Sequence, residues 1–381
     1  MIKKKKILLI ISSIKKWWWA EKSAINIYNW LKKKWDRIEL LTFYDFKKEY
    51  IFKWDRISFW LNYERWIKRI FNLLFVIPFK LYFFIKKNKY ELVISNSEDA
   101  NFCTQLCKIF NSKLFITINV VHNNIFLKSN EYYLFRKLHK YADYIVTVSK
   151  WIELSFKNEL NISSSKIETI YNMFNISYIQ KQMQLPISEK YKDLFNDNIF
   201  NFITIGRLCE QKNHKFMLEC FDKFHSKYKN SNLLLIYWDD FLLDSLLKKK
   251  KTLKSRNNIY FLWHTDNPYN LLFNSDCFLF SSNREWFWMV ILESLICNLP
   301  VVSVNCNFWP NEIISDINKT SKSKMWIISE IWDQDNFIKN MEYYYNNKVS
   351  QNWINNFNNF NLENIEIKWS SLIDNLLLNE N

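Results

Sequence analysis

The sequence predicts an α/β fold built from two doubly wound, Rossmann-like domains. Three observations predict it. Short apolar runs alternate with segments of helical period along most of the chain, the alternation breaks at a polar stretch near Gln180 to Asn198, and it then restarts. Strands separated by helices pair in parallel, with helices on both faces of the sheet. Two such series give two sheets, each expected to hold its ligand beyond the carboxyl ends of its strands. The expected boundaries are 1–185 for the first domain, 186–360 for the second, and 361–381 for a terminal helix packing back toward the first.

In the first series Ile7 to Ile11 is a buried strand, a helix is expected near Ala20 to Lys34, and Ile38 to Thr42 is the next strand. Leu92 to Ser95, a helix near Ala100 to Phe110, Leu114 to Val121 and Tyr144 to Val148 continue the pattern. The second series runs through Phe200 to Ile205, a helix over Lys215 to Lys227, Leu233 to Tyr237, a helix over Leu242 to Leu253, Ile259 to Phe261, Cys277 to Phe280, a helix over Val290 to Cys297, and Val301 to Val304. Ile367, Leu372, Ile373 and Leu376 keep helical spacing in the asparagine-rich tail.

The 381 residues are 49% hydrophobic and 24% charged, which excludes a disordered polymer. Two counts are abnormal: one glycine, where about 27 would be ordinary, and 18 tryptophans. Tight turns and close backbone approaches need a missing Cβ or a positive φ, so a chain with one glycine should be hard to fold. The seven cysteines are scattered through apolar segments without a CxxC pair, as buried thiols of a reduced compartment would be. The apolar run at the start is too short for a signal segment, and Ile70 to Ile85 is interrupted by Asn72, Pro78 and Lys80, so no membrane span is expected. Residues 1–190 hold 33 Lys and Arg against 16 Asp and Glu, a net +17, which leaves −2 for the remainder. A basic amino half fits nucleic acid, an anionic membrane or an anionic substrate.

Four segments carry chemistry in a recognisable order: Trp17-Trp18-Trp19-Ala20-Glu21-Lys22, Val148-Ser149-Lys150-Trp151, Gly206-Arg207-Leu208-Cys209-Glu210-Gln211-Lys212-Asn213, and Glu285-Trp286-Phe287-Trp288-Met289-Val290-Ile291-Leu292-Glu293. With glycine in place of tryptophan they read GGGAEK, VSKG, GRLCEQKN and EGFGMVILE. In that form the chain resembles the family 4 glycosyltransferases of the GT-B fold, two Rossmann-like domains facing each other across a cleft. Tyr237-Trp238-Asp239, Phe261-Leu262-Trp263-His264, Leu299-Pro300-Val301-Val302, Trp309-Pro310-Asn311-Glu312-Ile313 and Met325-Trp326-Ile327-Ile328 extend the likeness over nearly the whole chain. Tryptophan stands at the family's glycine positions repeatedly. The expected cause is UGA codons that specify glycine in the source and are read here as tryptophan, at every tryptophan but Trp369.

The resemblance implies a retaining sugar transferase whose carboxyl domain binds a UDP- or GDP-sugar and whose amino domain binds a glycan or lipid-linked glycan acceptor, in bacterial surface polysaccharide synthesis. Arg207 and Lys212, five residues apart between a strand and a helix, match the pair that clamps the donor diphosphate, and Gly206 precedes them. Electrostatic stabilisation of the leaving diphosphate is what such a reaction needs. Glu293 matches the glutamate that holds the ribose, and Glu285 the one facing the donor sugar. Phe287, Trp288, Met289 and Val290 join the donor site between them, and Trp18 and Trp19 match the turn that approaches the diphosphate. His122, after Val121, matches an active-site histidine that contacts the sugar. No metal and no cofactor are implied; Asp333 and Asp335 fall past the donor motifs and read as a helix start. Ser149 matches the family's serine before a glycine at a strand end, and a local turn and helix cap account for it equally well; His264, after the Phe261-Leu262-Trp263 turn, reads equally well as a loop residue.

The expected location is cytoplasmic, with peripheral attachment at the inner face of the membrane through the basic amino half and the 70–85 stretch; an ordinary core helix accounts for that stretch equally well. The alternatives are a GT-B synthase acting on a soluble acceptor and a basic nucleic-acid-binding protein. The last predicts aromatics interleaved with Lys and Arg, whereas the aromatic excess falls at turns, so no nucleic acid is expected. A hydrolase using two glutamates ranks lower, because it has no use for a diphosphate clamp.

Overall fold

The computed structural model describes residues 5–14, 19–44, 56–61, 66–122, 137–284, 289–306, 325–347, 360 and 362–378. The chain forms two compact units: Met1–Phe174 with Asn359–Asn381, and Asn175–Asn358.

Unit 1 is a seven-stranded sheet of β1 Ile7–Ile11, β2 Ile38–Tyr44, β3 Ile57–Leu61, β4 Leu92–Ser95, β5 Ile116–Val121, β6 Tyr144–Thr147 and β7 Ile167–Thr169. The order is β3-β2-β1-β4-β5-β6-β7, and every pairing is parallel. All residues of β1, β4 and β5 are buried, as expected of strands covered on both faces. The helices are α1 Trp19–Lys34, α2 Trp66–Phe71, α3 Ile77–Asn88, α4 Glu98–Phe110 and α5 Lys150–Leu160. A π turn, Asn72–Val76, joins α2 to α3 without a break. Pro78 sits in the first turn of α3, where its missing N–H costs nothing. Ser97 caps α4, accepting from the Ala100 N–H, and Ser149 caps α5, accepting from Ile152.

Unit 2 is a six-stranded parallel sheet of β8 Phe200–Ile205, β9 Ser231–Tyr237, β10 Ile259–Trp263, β11 Cys277–Phe280, β12 Val301–Val304 and β13 Trp326–Ser329, in the order β10-β9-β8-β11-β12-β13. Its helices are α6 Ile176–Met183, α7 Glu189–Lys192, α8 His214–Lys227, α9 Leu243–Lys251, α10 Tyr269–Phe273, α11 Met289–Ile296 and α12 Gln334–Asn346. Asp333 caps α12 through the Asn336 N–H, so the Asp333 and Asp335 pair opens a helix. The chain then returns to unit 1 in α13, Leu362–Leu378, where Lys34 of α1 donates to the Ser370 hydroxyl and Trp369 is buried.

Two doubly wound parallel sheets are the architecture the alternation predicts. The cysteines are free thiols, and burial raises Cys107 to about 12, which makes it inert. Among the described residues no helix is long and apolar enough to cross a membrane.

Candidate active site

In unit 2 the order of strands reverses between β8 and β11, so the loops leaving these two strands part at the carboxyl edge of the sheet. The loop after β8 carries Gly206, Arg207 and Lys212. Gly206 N–H donates to the Ile236 carbonyl at 3.1 Å, and the Leu208 carbonyl accepts from Leu242 N–H at 3.1 Å. A single 3-10 turn, Glu210–Lys212, follows, and Asn213 takes a left-handed φ of 50° before α8 begins. Asparagine tolerates that conformation where most residues do not.

This loop is stitched to the one after β11. The Ser281 hydroxyl donates to the Lys212 carbonyl at 2.9 Å, and Asn283 N–H donates to the Gln211 carbonyl at 2.8 Å. The Gln211 amide donates to the Arg284 carbonyl at 2.9 Å, and the Asn213 amide to Asn283 Oδ1 at 3.1 Å. Backbone groups that would otherwise be flexible are fixed, and the two cations hang from a braced frame. The Lys212 ammonium stands 5.3 Å from the centre of the Phe280 ring, a cation–π contact at the end of β11.

Glu293 is 3% exposed on α11 and accepts the Tyr269 hydroxyl at 3.0 Å. Burial, then the Glu293 carboxylate, pushes the Tyr269 phenol far above its usual range, so it is a fixed neutral donor. A carboxylate accepts several hydrogen bonds, and Tyr269 orients this one. Met289 and Val290, both buried, begin α11 directly after the Glu285 segment. Glu285, Phe287, Trp288 and, in unit 1, Trp18 lie outside the described residues; Trp19 is the first residue of α1.

Unit 1 has its own reversal, between β1 and β4. Asn96, just past β4, donates its N–H to the Ile10 carbonyl at 2.8 Å, and Ser12 N–H donates to Ser97 Oγ at 3.2 Å. His122, just past β5, sets its ring Nε2 against Asn96 Oδ1. Nε2–H is therefore the donor, and Nδ1 is an acceptor. His122 keeps partial exposure, yet the protein around it lowers the imidazole to about 4, so the ring is neutral at ordinary pH. Beneath it the Ser95 hydroxyl lies 2.6 Å from the Asn101 side-chain amide and 2.9 Å from that of Asn119, tying α4 to β4 and β5.

Sequence reasoning named Gly206, Arg207, Lys212 and Glu293, and all four lie in loops or helices at the carboxyl edge of unit 2. It missed Tyr269, Ser281, Asn283 and Asn96. These partners are 24 or more residues from the groups they hold, in other strands' loops or helices, with no local signature.

The family model described as Glycosyl transferases group 1 matches residues 188–359. An uncharacterized glycosyltransferase of Methanocaldococcus jannaschii is 31% identical over 314 residues, covering 77% of this chain and 71% of that one. The N-acetylgalactosamine-N,N'-diacetylbacillosaminyl-diphospho-undecaprenol 4-alpha-N-acetylgalactosaminyltransferase of Campylobacter jejuni is 26% identical over 223 residues, 57% of this chain and 58% of that one. Among solved structures, Anabaena HepE in complex with UDP and glucose superposes with a TM-score of 0.78 at 14% identity, covering 97% of this chain and 99% of that one. That likeness shows the fold, GT-B.

Proposed function

The chain belongs to the glycosyl transferases group 1 family and is a glycosyltransferase, and from that premise we propose that it is a retaining enzyme. It moves a sugar from a UDP- or GDP-sugar to a glycan or lipid-linked glycan acceptor in bacterial surface polysaccharide synthesis. The observation that carries the reading is the braced loop after β8, which holds Arg207 and Lys212 at the strand reversal of unit 2. UDP in the HepE complex and the lipid-linked acceptor named for the Campylobacter relative support the donor and acceptor classes.

In this reading Arg207 and Lys212 bind the two phosphates. As the bond from the anomeric carbon to the diphosphate oxygen breaks, negative charge grows on that oxygen and the two cations stabilise it. The acceptor hydroxyl forms the new bond to the anomeric carbon and passes its proton to the departing diphosphate, so no protein base is needed. Glu293 holds the ribose, and Glu285 faces the transferred sugar. In unit 1 the neutral His122 offers Nδ1 to a sugar hydroxyl. The enzyme needs neither metal nor cofactor. It works in the cytoplasm, attached peripherally to the membrane's inner face.

The tryptophans at glycine positions are UGA codons that specify glycine in the source. Trp332 supports this: it adopts a φ of 67°, a conformation an indole-bearing residue rarely takes and glycine takes freely. The deciding experiment is calorimetric titration of the glycine-bearing chain with UDP and GDP, followed by transfer assays with the matching sugars. Binding of either nucleotide that is lost in Arg207→Ala and Lys212→Ala supports the reading; no binding of either overturns it.

A further inference from the structure

The strands of unit 1 have two ends. Asn96 and His122 follow β4 and β5 at the carboxyl end. At the amino end, where the chain enters the same two strands, there is a cavity of about 260 Å³. Its apolar wall is Ile85, from the last turn of α3, with Leu114 and Phe115, which lead into β5. Tyr90 and Glu91, which lead into β4, form another side. Three lysines from two separate segments complete the lining: Lys86 and Lys89 at the end of α3, and Lys113 in the turn between α4 and β5.

The cations at this edge divide by whether they line the cavity. Lys5 pairs with Glu91 at 2.5 Å, Lys6 with Glu39 at 3.0 Å, and Lys108 with Asp143 at 2.7 Å. Lys86, Lys89 and Lys113 have no carboxylate partner among the described residues. Glu91, the acid in the lining, is already held by Lys5. The cavity therefore carries three positive charges that no carboxylate balances.

The wall behind them is fixed. The Tyr90 hydroxyl donates to Glu39 Oε2, and Lys6, which holds the same carboxylate, lies 4.5 Å from the centre of the Tyr90 ring. Ile116 N–H donates to the Glu91 carbonyl at 2.8 Å, and the Phe115 carbonyl accepts from the Lys108 ammonium at 2.8 Å. Lys89 ends α3 with a left-handed φ of 55°, a place that glycine or asparagine fills at lower conformational cost. The dipole of α3 favours cations in its last turn, but it gives no reason for Lys113, which comes from another segment.

We propose that this cavity binds a small soluble phosphate monoester, at a site separate from the transfer centre. A monoester carries close to two negative charges at neutral pH and three strong acceptor oxygens, so one phosphate serves three ammonium groups. A carboxylate offers one charge and two oxygens. The carbon part of the ester lies on Ile85, Leu114 and Phe115. At about 260 Å³ the cavity falls just below the ~300–1,000 Å³ of pockets that hold drug-sized ligands, which suits a phosphate on a short chain or a single ring. β4 runs from Leu92 to Ser95, so Glu91 and Asn96 at its two ends stand on the order of 15 Å apart. A ligand at the amino end therefore leaves Asn96 and His122 open, and its recognition needs neither donor nor acceptor.

The test is isothermal titration of the full chain with phenyl phosphate, inorganic phosphate and benzoate. Phenyl phosphate should bind saturably, and more tightly than inorganic phosphate, which lacks the apolar part, or benzoate, which lacks the second charge. Lys86→Ala with Lys113→Ala should weaken phenyl phosphate binding roughly tenfold or more. Lys89→Asn should also weaken it without lowering the melting temperature, since asparagine accepts the left-handed backbone. Lys87→Ala, beside Lys86 but outside the lining, should change nothing. Arg207→Ala with Lys212→Ala separates this cavity from the proposed diphosphate clamp, and phenyl phosphate binding should persist in it. Binding that survives the Lys86 and Lys113 substitutions, or that is lost only with Arg207 and Lys212, overturns the proposal. So does benzoate binding as tightly as phenyl phosphate, or no saturable binding of phenyl phosphate at millimolar concentration. Vesicles of phosphatidylcholine with phosphatidic acid present the same monoester on a lipid; capture of the chain by them without binding of the soluble probe overturns the soluble class of ligand.

Discussion

Gly206 lies against the stem of Lys212: a Cβ at position 206 would stand 3.3 Å from Lys212 Cε and 3.6 Å from Cδ. Gly206 has no positive φ, so what matters there is the missing side chain. The one glycine in the sequence stands where a methyl group would push the ammonium of the proposed diphosphate clamp.

Gly206→Ala should therefore separate stability from turnover. The atoms it displaces are near the end of a flexible side chain, which gives by a few tenths of an ångström, so thermal stability should change by less than about 1 kcal/mol. Turnover should fall about tenfold or more, because electrostatic catalysis depends on placement. Steady-state kinetics and a melting curve on the same sample read both. Unchanged kcat would show that Lys212 does not act through this position.

Arg207→Ala and Lys212→Ala should each lower kcat on the order of 10²-fold, since losing one preorganised donor to developing charge costs roughly 3 kcal/mol. Tyr269→Phe and Glu293→Ala should act mainly on KM for the donor, because a ribose contact is made equally in the ground and transition states. A large kcat loss in Tyr269→Phe with KM intact would remove the ribose role from Glu293.

The clamp was legible because its residues are contiguous in sequence: a strand, Gly-Arg, and a lysine one turn later. The bracing by Ser281 and Asn283 was not, since it arises only when β8 and β11, 77 residues apart at their starts, become neighbours. The apolar run 70–85 is interrupted in the sequence by Asn72, Pro78 and Lys80, which argues against a membrane span and leaves a core helix open. A π turn absorbs the first and helix-start geometry the second, and hydropathy reveals neither. The same segment shows why composition cannot tell a core face from an exposed one: Leu73 and Phe75 are both apolar, and only the fold buries one and exposes the other.

Asn96→Asp should place a carboxylate opposite His122 Nε2–H. A negative neighbour favours the imidazolium, so the pKa rises from about 4 and a neutral ring is lost at higher pH than in the parent. The kcat profile should gain an acid limb in mildly acidic solution, while Asn96→Ala should not show one. Identical profiles for Asn96→Asp and the parent would show that the neutral imidazole is not used.

Acid should destabilise both units. His139 and His214 are 1% and 4% exposed, and burial lowers each to about 3. His139 Nδ1 meets the Gln105 amide nitrogen at 3.0 Å, a bond that protonation removes. The unfolded chain takes up these protons near pH 6.5 and the folded chain refuses them to about 3, so stability falls as pH drops through that window, by about 1.4 kcal/mol per pH unit per histidine at most. Urea midpoints should decrease steadily from about pH 6 downward, and His139→Gln should flatten the slope. A midpoint independent of pH over that range would contradict the buried neutral state.

The codons decide the last question. Position 332 should be UGA and position 369 UGG. Trp332 is 62% exposed and holds a φ of 67°, with its ring edge-on to Phe216 at 5.9 Å; the backbone there suits glycine, and an exposed indole adds little to fix it. Trp369, 2% exposed, lies inside α13, where glycine would open a cavity and weaken the helix; Trp30, 7% exposed inside α1, meets the same conditions, so its expected glycine codon runs against the packing there. Positions 17–19 should follow 332, because three successive indoles there would bar the backbone from a phosphate. Sequencing the gene, with mass spectrometry of peptides from the native protein, reads all five sites. Native peptides carrying tryptophan at 17–19 and 332 would show that the protein builds these turns with indoles and would end the glycine reading; tryptophan at 369 with glycine at the other four is the expected result.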